Sequence, residues 1–391
     1  MSKRTFLNIG EMTNSYNKKH ILYCEKISKG ISVICRKDSS CAKKLKALAG
    51  IGGHCERILA SDVDVKAIIR EKLGQLLLTK KRALPSSRKL YFVSYIDNLG
   101  ITSDRDPVIY VREFEKKVRR SLAGAKLNAI SVLELHSLPN SPGTYNGGML
   151  LLGAHAVVWA DADVSLADIK KALDSPSWQC KLGAKPVDVK LIRDADINVL
   201  AISNYVAKLP VAAKNMVPSR KNPGTFRFRD TIKGNRPNVA LRLLEVLSQI
   251  DMMELISGVG EGAKIRQDLR SHVTKWHRER RRLDSFIPAD FDVWRFWLDL
   301  RQGAGSKNYL PVRINTPMPK KPQLERRMRR PIKRLKFPKL PKIMSLTPGV
   351  NQRPVSQPKK TKVTTKSPFA SFKAEKARWA RSMRRVRDKR K

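Results

Sequence analysis

The 391-residue chain carries 80 lysine and arginine residues against 34 aspartate and glutamate residues, a formal net charge of +46. Charge of this size repels itself in a compact state, and a nucleic acid relieves that repulsion while releasing its condensed counterions. No apolar run approaches the ~20 residues of a membrane span, and the N-terminus lacks a secretory h-region. We therefore expect a nucleic-acid partner and no membrane association. The alternatives are a basic soluble protein without such a partner and a protein that binds a membrane surface.

In chain order, residues 1–60 are polar and predict an irregular segment. Residues 61–80 predict a helix with a cap at Ser61 or Asp62 and apolar side chains along one face. Aromatic and β-branched residues at 90–96 favour a strand. The following patterns predict a helix at 106–124, strands at 128–136 and 149–160, a helix at 166–176, a strand at 186–195, and a helix within 197–215 that stops near Pro210.

This order predicts an α+β fold with a central antiparallel sheet, its two middle strands joined as a hairpin, and helices on one face. Amphipathic helices are predicted at 237–256 and 262–283, and an aromatic segment at 290–300 is expected to pack over them. Residues 311–391 contain 27 basic and 3 acidic residues with frequent proline. They predict a disordered basic arm, with a helix at 368–391 as one alternative. The predicted domains are 1–85, 86–215, 216–310 and 311–391.

Five cysteines at irregular spacing do not resemble a disulfide framework. A reducing compartment is therefore expected: the cytoplasm, or the nucleoid in a bacterium. Four of the cysteines, with His20 and His54, invite a zinc interpretation, although no close Cys-x₂₋₄-Cys pair is present. Unpaired, reduced thiols are the favoured alternative for the candidate ligands Cys24, Cys35, Cys41 and Cys55.

Three segments combine residues that can carry chemistry. Glu134 and His136 lie two apart on a predicted strand, so both point to one face. His155 lies among apolar residues on the predicted neighbouring strand. Tyr205 and Lys208 are spaced to lie one above the other on a helix. Each of these residues also has an ordinary structural interpretation, as a packed core side chain or a solvated charge.

Together these segments resemble the HUH endonuclease superfamily of rolling-circle replication initiators, relaxases and transposases. The strand LYFVSYID resembles the first motif of the family, and Glu134 matches the acidic residue of a following strand. The segment GAHAVVW resembles the buried strand that carries the histidines, and SNYVAKLP resembles the helix with the Tyr-x-x-Lys motif. The resemblance covers about residues 88–215.

The resemblance implies a chemistry for these residues. The hydroxyl of Tyr205 attacks a single-stranded DNA phosphodiester and forms a 5′-phosphotyrosine. A divalent ion, Mn²⁺ or Mg²⁺, polarises the phosphate from histidine and carboxylate ligands, and Lys208 adds positive charge beside it.

One position departs from the family pattern. Gly153 stands where the first histidine of the HUH pair is expected, and His155 matches the second. The metal site is therefore either damaged or rearranged. A rearranged site would use Glu134, His136 and His155 across neighbouring strands, and Zn²⁺ would also bind such a set.

Residues 225–237 interleave aromatic and basic side chains. Phe226 and Phe228 alternate with Arg227 and Arg229, which would place rings and guanidinium groups on opposite sides of a strand. Rings stack on bases and arginines contact phosphates, although a packed phenylalanine face on an edge strand is the alternative. The candidate nucleic-acid contacts are Arg227, Arg229, Lys233 and Arg236.

Three hypotheses follow from the sequence. The first is a DNA-binding replication initiator of a plasmid, phage or other mobile element that nicks single-stranded origin DNA through a tyrosine. The second is a non-catalytic DNA- or RNA-binding protein that kept the fold after its metal site decayed. The third is a basic packaging protein, which predicts no site that joins residues 134, 155 and 205.

Overall fold

The computed structural model describes residues 9–35, 38–139, 148–193, 196–206, 208–210, 213–218, 226–231, 235–280, 286–303 and 310–316. The chain divides into a compact unit of residues 1–336 and a second unit of residues 337–391, and every described residue belongs to the first. The basic arm and terminal helix predicted for the C-terminus lie outside the described residues from 317 onward. The predicted domain boundaries stay a prediction.

Within the described residues the helices are α1 (Ile9–Cys35), α2 (Ser39–Leu48), α3 (Val63–Ala83), α4 (Val111–Gly124), α5 (Leu166–Leu173), α6 (Asp196–Val206), α7 (Pro237–Leu247), α8 (Gly262–Arg280) and α9 (Val293–Gly303), with a short 3-10 helix at Met252–Leu255. The strands are β1 (His54–Cys55), β2 (Tyr91–Ser103), β3 (Val108–Ile109), β4 (Asn128–Leu138), β5 (Met149–Trp159), β6 (Val187–Leu191), β7 (Lys214–Pro218), β8 (Phe226–Asp230), β9 (Ile256–Val259), β10 (Phe286–Ile287) and β11 (Arg313–Ile314). None of these helices combines the length and the apolar character that crossing a bilayer requires.

A five-stranded sheet in the order β6-β2-β5-β4-β9 organises the fold, and all of its strand pairs are antiparallel. The predicted α+β class and central antiparallel sheet are therefore confirmed, as is the pairing of β4 with β5. Both strands are buried along almost their whole length. Side chains from both of their faces therefore enter the main hydrophobic core.

Helices cover both faces of this sheet, so the predicted one-sided arrangement is wrong. Tyr205 of α6 contacts Phe92 and His155 on one face. On β2, Tyr95 points to the opposite face from Phe92, because strand side chains alternate. Tyr95 packs against Trp178, which also contacts Phe114 of α4. The sheet is thus an internal layer, and a side chain on the α6 face is shielded by helices.

The N-terminal segment is helical, although its polar composition predicted an irregular structure. Helices α1 and α2 account for most of residues 9–48. Buried residues of α1 recur at helical spacing, and they pack with side chains of α2, α7 and α9 in a second hydrophobic core that includes Tyr23, Ile27, Ile31, Leu45, Leu48, Leu241, Leu244 and Trp297.

The predicted helix at 237–256 is too long. Helix α7 ends at Leu247, after which the chain forms the 3-10 helix and then the edge strand β9. Apolar periodicity continues through this region because all three elements are buried, so periodicity alone does not show where the helix stops. The helices predicted at 61–80 and 262–283 are confirmed as α3 and α8, and Asp62 caps α3 by accepting hydrogen bonds from the backbone N–H groups of Asp64 and Val65.

Candidate metal centre and nucleophile

The strand register brings Glu134, His136 and His155 to one face of the sheet. Glu134 of β4 lies directly opposite Gly153 of β5, and His155 lies opposite Val132. His155 and Glu134 are therefore diagonal neighbours, and His136 follows two residues along the same strand face. Each of the three offers one ligand atom, and these atoms all lie within 4.8 Å of one another.

Glu134 contacts both histidines of this cluster. Its Oε2 atom lies 2.8 Å from Nε2 of His136 and 3.0 Å from Nε2 of His155. An ionised carboxylate only accepts hydrogen bonds, so both imidazoles donate from Nε2. The second ring nitrogen of His155, Nδ1, lies 3.0 Å from the hydroxyl oxygen of Ser94, which faces it directly across β2 and β5. Ser94 therefore fixes the orientation of the imidazole through the ring nitrogen that does not face Glu134.

Tyr205 reaches the cluster from the last turn of α6. Its ring packs edge-on to His155 at 4.8 Å between centroids and to Phe92 at 5.6 Å. Helix α6 ends at Val206, four residues before Pro210, whose ring and missing N–H are incompatible with continuing the helix. The helix predicted within 197–215, with its end near Pro210, is thus confirmed.

Lys208 lies two residues beyond the end of this helix rather than on it. Its Nζ atom still lies 4.8 Å from the centre of the Tyr205 ring, and it forms an ion pair with Oε1 of Glu134 at 3.1 Å. The proximity predicted for Tyr205 and Lys208 is therefore present, although Lys208 lies beyond the last helical residue. Lys208 links the tyrosine to the carboxylate of the cluster.

Burial and mutual contact set the charges of the cluster. Burial by itself would raise the pKa of Glu134, but His136 and Lys208 outweigh it and hold that pKa well below the ordinary value. Burial lowers the pKa of both His136 and His155, so both imidazoles are neutral at pH 7. Burial would also lower the pKa of Lys208, but Glu134 more than compensates and raises it. Burial raises the pKa of Tyr205 to about 12, against the opposing effect of Lys208.

The donor set suits a divalent metal ion. One carboxylate and two neutral imidazoles are ligands that Mn²⁺, Mg²⁺ with substrate oxygens, and Zn²⁺ can accept. Metal binding at Nε2 requires each imidazole to carry its proton on Nδ1 instead. For His155 that proton would be donated to Ser94, so the second hydrogen bond is already in place. The cluster could therefore hold a metal ion.

The residues predicted to contact nucleic acid lie in or near the β7–β8 hairpin or outside the described residues. In the β7–β8 hairpin, Arg229 is exposed and lies opposite Asn215, and the backbone of Arg227 lies opposite Val217. Phe228 faces the other way and packs with Met216, Leu138 and Leu151. The ring is partly buried against these side chains. Arg236 is exposed just before α7, and Lys233 lies outside the described residues.

The cysteines that suggested zinc do not form a ligand group. The sulfur atoms of Cys35 and Cys41 lie 2.6 Å apart between α1 and α2. Cys24 lies within α1, and Cys55 lies in β1 beside β10. Among the described residues, the only group of three or more histidine, cysteine, aspartate or glutamate ligands is Glu134, His136 and His155.

Sequence reasoning missed several residues of the site. Ser94 and Phe92 contact His155, while Lys66 of α3 and Lys214 of β7 lie near Glu134 and interact with its charge. None of them carries a local signal, because each meets the cluster only through strand register or helix packing. No protein-family model, curated protein or solved structure matches this chain.

Proposed function

We propose that this chain is a nucleic-acid-binding protein that nicks single-stranded DNA through Tyr205, in the manner of an HUH-type replication initiator. One observation carries the proposal. The Tyr205 ring packs on His155, whose Nε2 shares Oε2 of Glu134 with His136. A phenol thus lies beside a set of metal ligands on the face of an antiparallel sheet. The net charge of +46 supports a polyanionic substrate.

Each residue has a role in the proposed step. The hydroxyl oxygen of Tyr205 forms a bond to the phosphorus of a DNA phosphodiester, and the bond from phosphorus to the 3′ oxygen breaks. The phenolic proton is lost, and the released 3′ oxygen takes up a proton, so the DNA ends as a 5′-phosphotyrosine and a free 3′-hydroxyl. Lys208 favours the phenolate, which is needed because burial raises the pKa of Tyr205 to about 12.

A divalent ion, proposed to be Mn²⁺ or Mg²⁺, would be held by Glu134, His136 and His155 and would neutralise charge that develops on the phosphate oxygens. Ser94 then fixes the ring of His155 as a positioning residue. Phe92 stacks on the same ring at 5.2 Å between centroids and limits its rotation. The protein contributes orientation and exclusion of water, since Glu134, His136 and His155 are all buried.

The test is covalent capture of DNA. The full chain is incubated with Mn²⁺ and a pool of random single-stranded oligonucleotides labelled at the 3′ end, because a 5′-phosphotyrosine retains the 3′ fragment. We expect a labelled protein band that survives boiling in detergent and disappears when the metal is chelated. Tyr205→Phe removes the attacking oxygen and keeps the ring on His155, so it should reduce the adduct to background.

The matched control is Tyr110→Phe, which removes a hydroxyl from the residue that precedes α4. This variant should form the adduct as the wild type does. If the wild type forms no adduct with Mn²⁺, Mg²⁺ or Zn²⁺, or if Tyr205→Phe forms as much adduct as the wild type, the proposed chemistry is wrong.

A second candidate function is nucleic-acid binding without catalysis. The observation that favours it is the ion pair between Lys208 and Glu134. In this arrangement an ammonium group supplies positive charge that a metal would otherwise supply, and Gly153 offers no ligand. The sheet face would then be a stable remnant of a metal centre, and the basic surface would be the functional part of the molecule.

Both candidates predict binding to single-stranded DNA that falls steeply with salt. Residues 311–391 carry 27 of the basic residues against 3 acidic ones. Deleting them should weaken binding and flatten the plot of log affinity against log salt, whose slope changes by about 0.7 for each phosphate that the protein no longer neutralises. Fluorescence anisotropy with a labelled oligonucleotide over a salt series measures this slope. An unchanged slope would show that the C-terminal segment does not touch the phosphates.

A further inference from the structure

Cys35 and Cys41 bring two thiol groups into direct contact. Their Sγ atoms lie 2.6 Å apart, with Cys35 as the last residue of α1 and Cys41 in the first turn of α2. The described residues include all five cysteines of the chain, and no other two sulfur atoms among them are in hydrogen-bonding contact. These two cysteines therefore differ from Cys24, Cys55 and Cys180, each of which lies apart from any second thiol.

Asp38 holds the backbone of both cysteines in this arrangement. Its backbone N–H donates to the carbonyl oxygen of Cys35 at 2.8 Å. Its carboxylate is the N-cap of α2 and accepts a hydrogen bond from the backbone N–H of Cys41 at 2.9 Å. Aspartate is one of the residues that most favour the start of a helix. The contact between the two thiols is therefore created by the local sequence that ends α1 and begins α2.

The distance between the sulfur atoms separates three interpretations of the pair. Non-bonded carbon atoms pack at about 3.5–4.0 Å, and sulfur is larger than carbon. A separation of 2.6 Å is therefore too short for two thiols that only pack together. Two thiolates bound to one zinc ion at about 2.3 Å each would lie about 3.8 Å apart in a tetrahedral site. A disulfide bond, with its sulfur atoms about 2.05 Å apart, is the arrangement closest to the one observed.

The pair lies at the edge of the second hydrophobic core. Both side chains are buried in that core, whereas residues 38–40, which directly precede Cys41, are exposed. Burial raises the pKa of both thiols, and the hydrogen bond from the Cys35 thiol lowers the pKa of Cys41 in opposition to it. Because the thiolate is the nucleophile in thiol–disulfide exchange, Cys41 is the thiol that reacts first, and Cys35 is the one that completes the bond.

We propose that Cys35 and Cys41 are a redox-active dithiol that a low-molecular-weight disulfide, RSSR, of the glutathione class converts into a disulfide bond. The thiolate of Cys41 attacks one sulfur of RSSR, the S–S bond of RSSR breaks, and RS⁻ leaves. The sulfur of Cys35 then attacks the sulfur of Cys41 and displaces the second RS⁻. The two thiol protons of the protein end on two molecules of RSH. The protein loses two electrons, and RSSR gains them.

The bond fastens the end of α1 to the start of α2. Helix α1 packs against α7 in the second hydrophobic core and also contacts α6. Closing the short loop from residue 35 to residue 41 restricts the unfolded chain and so stabilises this part of the fold. Disulfides in a reducing compartment are usually transient, so the pair responds to an oxidising change and returns to two thiols afterwards. This inference is independent of the proposed nicking function.

The test is peptide mapping of the oxidised protein. The full chain is incubated with glutathione disulfide at pH 8, its remaining thiols are alkylated in denaturant, and it is digested with trypsin without reduction. Trypsin cleaves after Arg36 and Lys37, so the two cysteines fall in separate peptides, GISVICR and DSSCAK. We expect these two peptides to be joined by a disulfide, while Cys24, Cys55 and Cys180 are alkylated. Prior incubation with excess reduced glutathione should leave the two peptides separate.

Thermal melting is the second readout. The oxidised wild type should melt about 2–5 °C above the reduced wild type, because the bond restricts the unfolded chain. Cys35→Ala and Cys41→Ala should each lose this difference together with the joined peptides. The control is Cys24→Ala, which removes a thiol from the same helix, α1, and leaves the pair intact. It should behave as the wild type.

Three results would overturn the proposal. The first is alkylation of both Cys35 and Cys41 after oxidation, and the second is glutathione attached to each of them separately. The third is a disulfide that joins either of them to Cys24, Cys55 or Cys180. Equal melting temperatures of the oxidised and reduced wild type would contradict the stabilising effect of the bond. Peptide mapping of the wild type needs no variant, so it decides the question even if an alanine variant does not fold.

Discussion

Replacing Glu134 with glutamine should lower the free energy of unfolding by about 3–5 kcal/mol, the cost of breaking a buried ion pair by removing one partner. Glutamine keeps the shape and one acceptor oxygen. It cannot compensate the ammonium group of Lys208, which lies 3.1 Å from the carboxylate, or the nearby charge of Lys66. Urea unfolding of the wild type and the variant at pH 7 measures the difference.

Two further variants make this expectation specific. Glu113→Gln removes a carboxylate that pairs with Lys116 at 2.8 Å on the surface, where both side chains are 44% exposed. Such exposed pairs contribute at most about 1 kcal/mol, so this variant should change little. Adding Lys208→Met to Glu134→Gln should recover part of the lost stability, because it removes the cation left unpaired. Equal effects of Glu134→Gln and Glu113→Gln would contradict the central role of Glu134.

The same cluster should make the protein sensitive to acid. His136 and His155 have lowered pKa values in the fold, so below about pH 6.5 the unfolded chain binds protons that the folded chain does not. Stability should therefore fall with decreasing pH, by up to about 1.4 kcal/mol per pH unit for each histidine. Glu134, whose pKa is also lowered, adds to the loss of stability once the pH falls below its ordinary value near 4.5.

The sheet could be predicted from the sequence because each strand carries its own local signal. Segments 128–136 and 149–160 are rich in apolar and β-branched residues, and they form β4 and β5 at nearly those bounds. The order of strands and helices from 90 to 206 is also confirmed. A strand that pairs with its sequence neighbour needs only local information, whereas β9 joins the sheet edge from more than a hundred residues away.

The N-terminal helices could not be predicted from composition, which is polar in this segment. The stripe formed by Tyr16, Tyr23, Ile27 and Ile31 is present in the sequence at spacings of seven, four and four. Lysine, asparagine and serine residues between them suggested an irregular segment. The stripe is buried because α7 and α9 supply the opposing surface, and that surface comes from residues more than 200 positions later.

The candidate site also contains residues that the sequence could predict and residues that it could not. Strand alternation alone placed Glu134 and His136 on one sheet face, and His155 was expected on the neighbouring strand. The structure brings ligand atoms of all three within 4.8 Å of one another. Tyr205 could be placed near them only through the resemblance to HUH proteins. Ser94 could not have been included, because it meets His155 only through the register of β2 against β5.

Replacing Gly153 with histidine should raise the affinity for Mn²⁺ by about tenfold to a hundredfold, by analogy with the effect of changing one group that supports a metal site. Position 153 lies directly opposite Glu134 in the β4–β5 register and two residues before His155. A new imidazole would therefore point to the ligand face. A Cβ atom there would meet the backbone oxygen of Tyr95 at 3.1 Å, so the sheet must adjust by a few tenths of an ångström.

Titration calorimetry with Mn²⁺ at pH 7 compares the wild type, Gly153→His and Gly153→Phe. Phenylalanine adds comparable bulk without a ligand atom, so it separates coordination from steric change. A gain confined to histidine would mean that the centre lacks one ligand and is otherwise assembled. In that case Gly153→His should also raise the yield of the Tyr205 adduct. The absence of measurable Mn²⁺ binding in all three proteins would mean that the ion pair between Lys208 and Glu134 excludes the metal. Non-catalytic binding of nucleic acid would then be the function that this geometry supports.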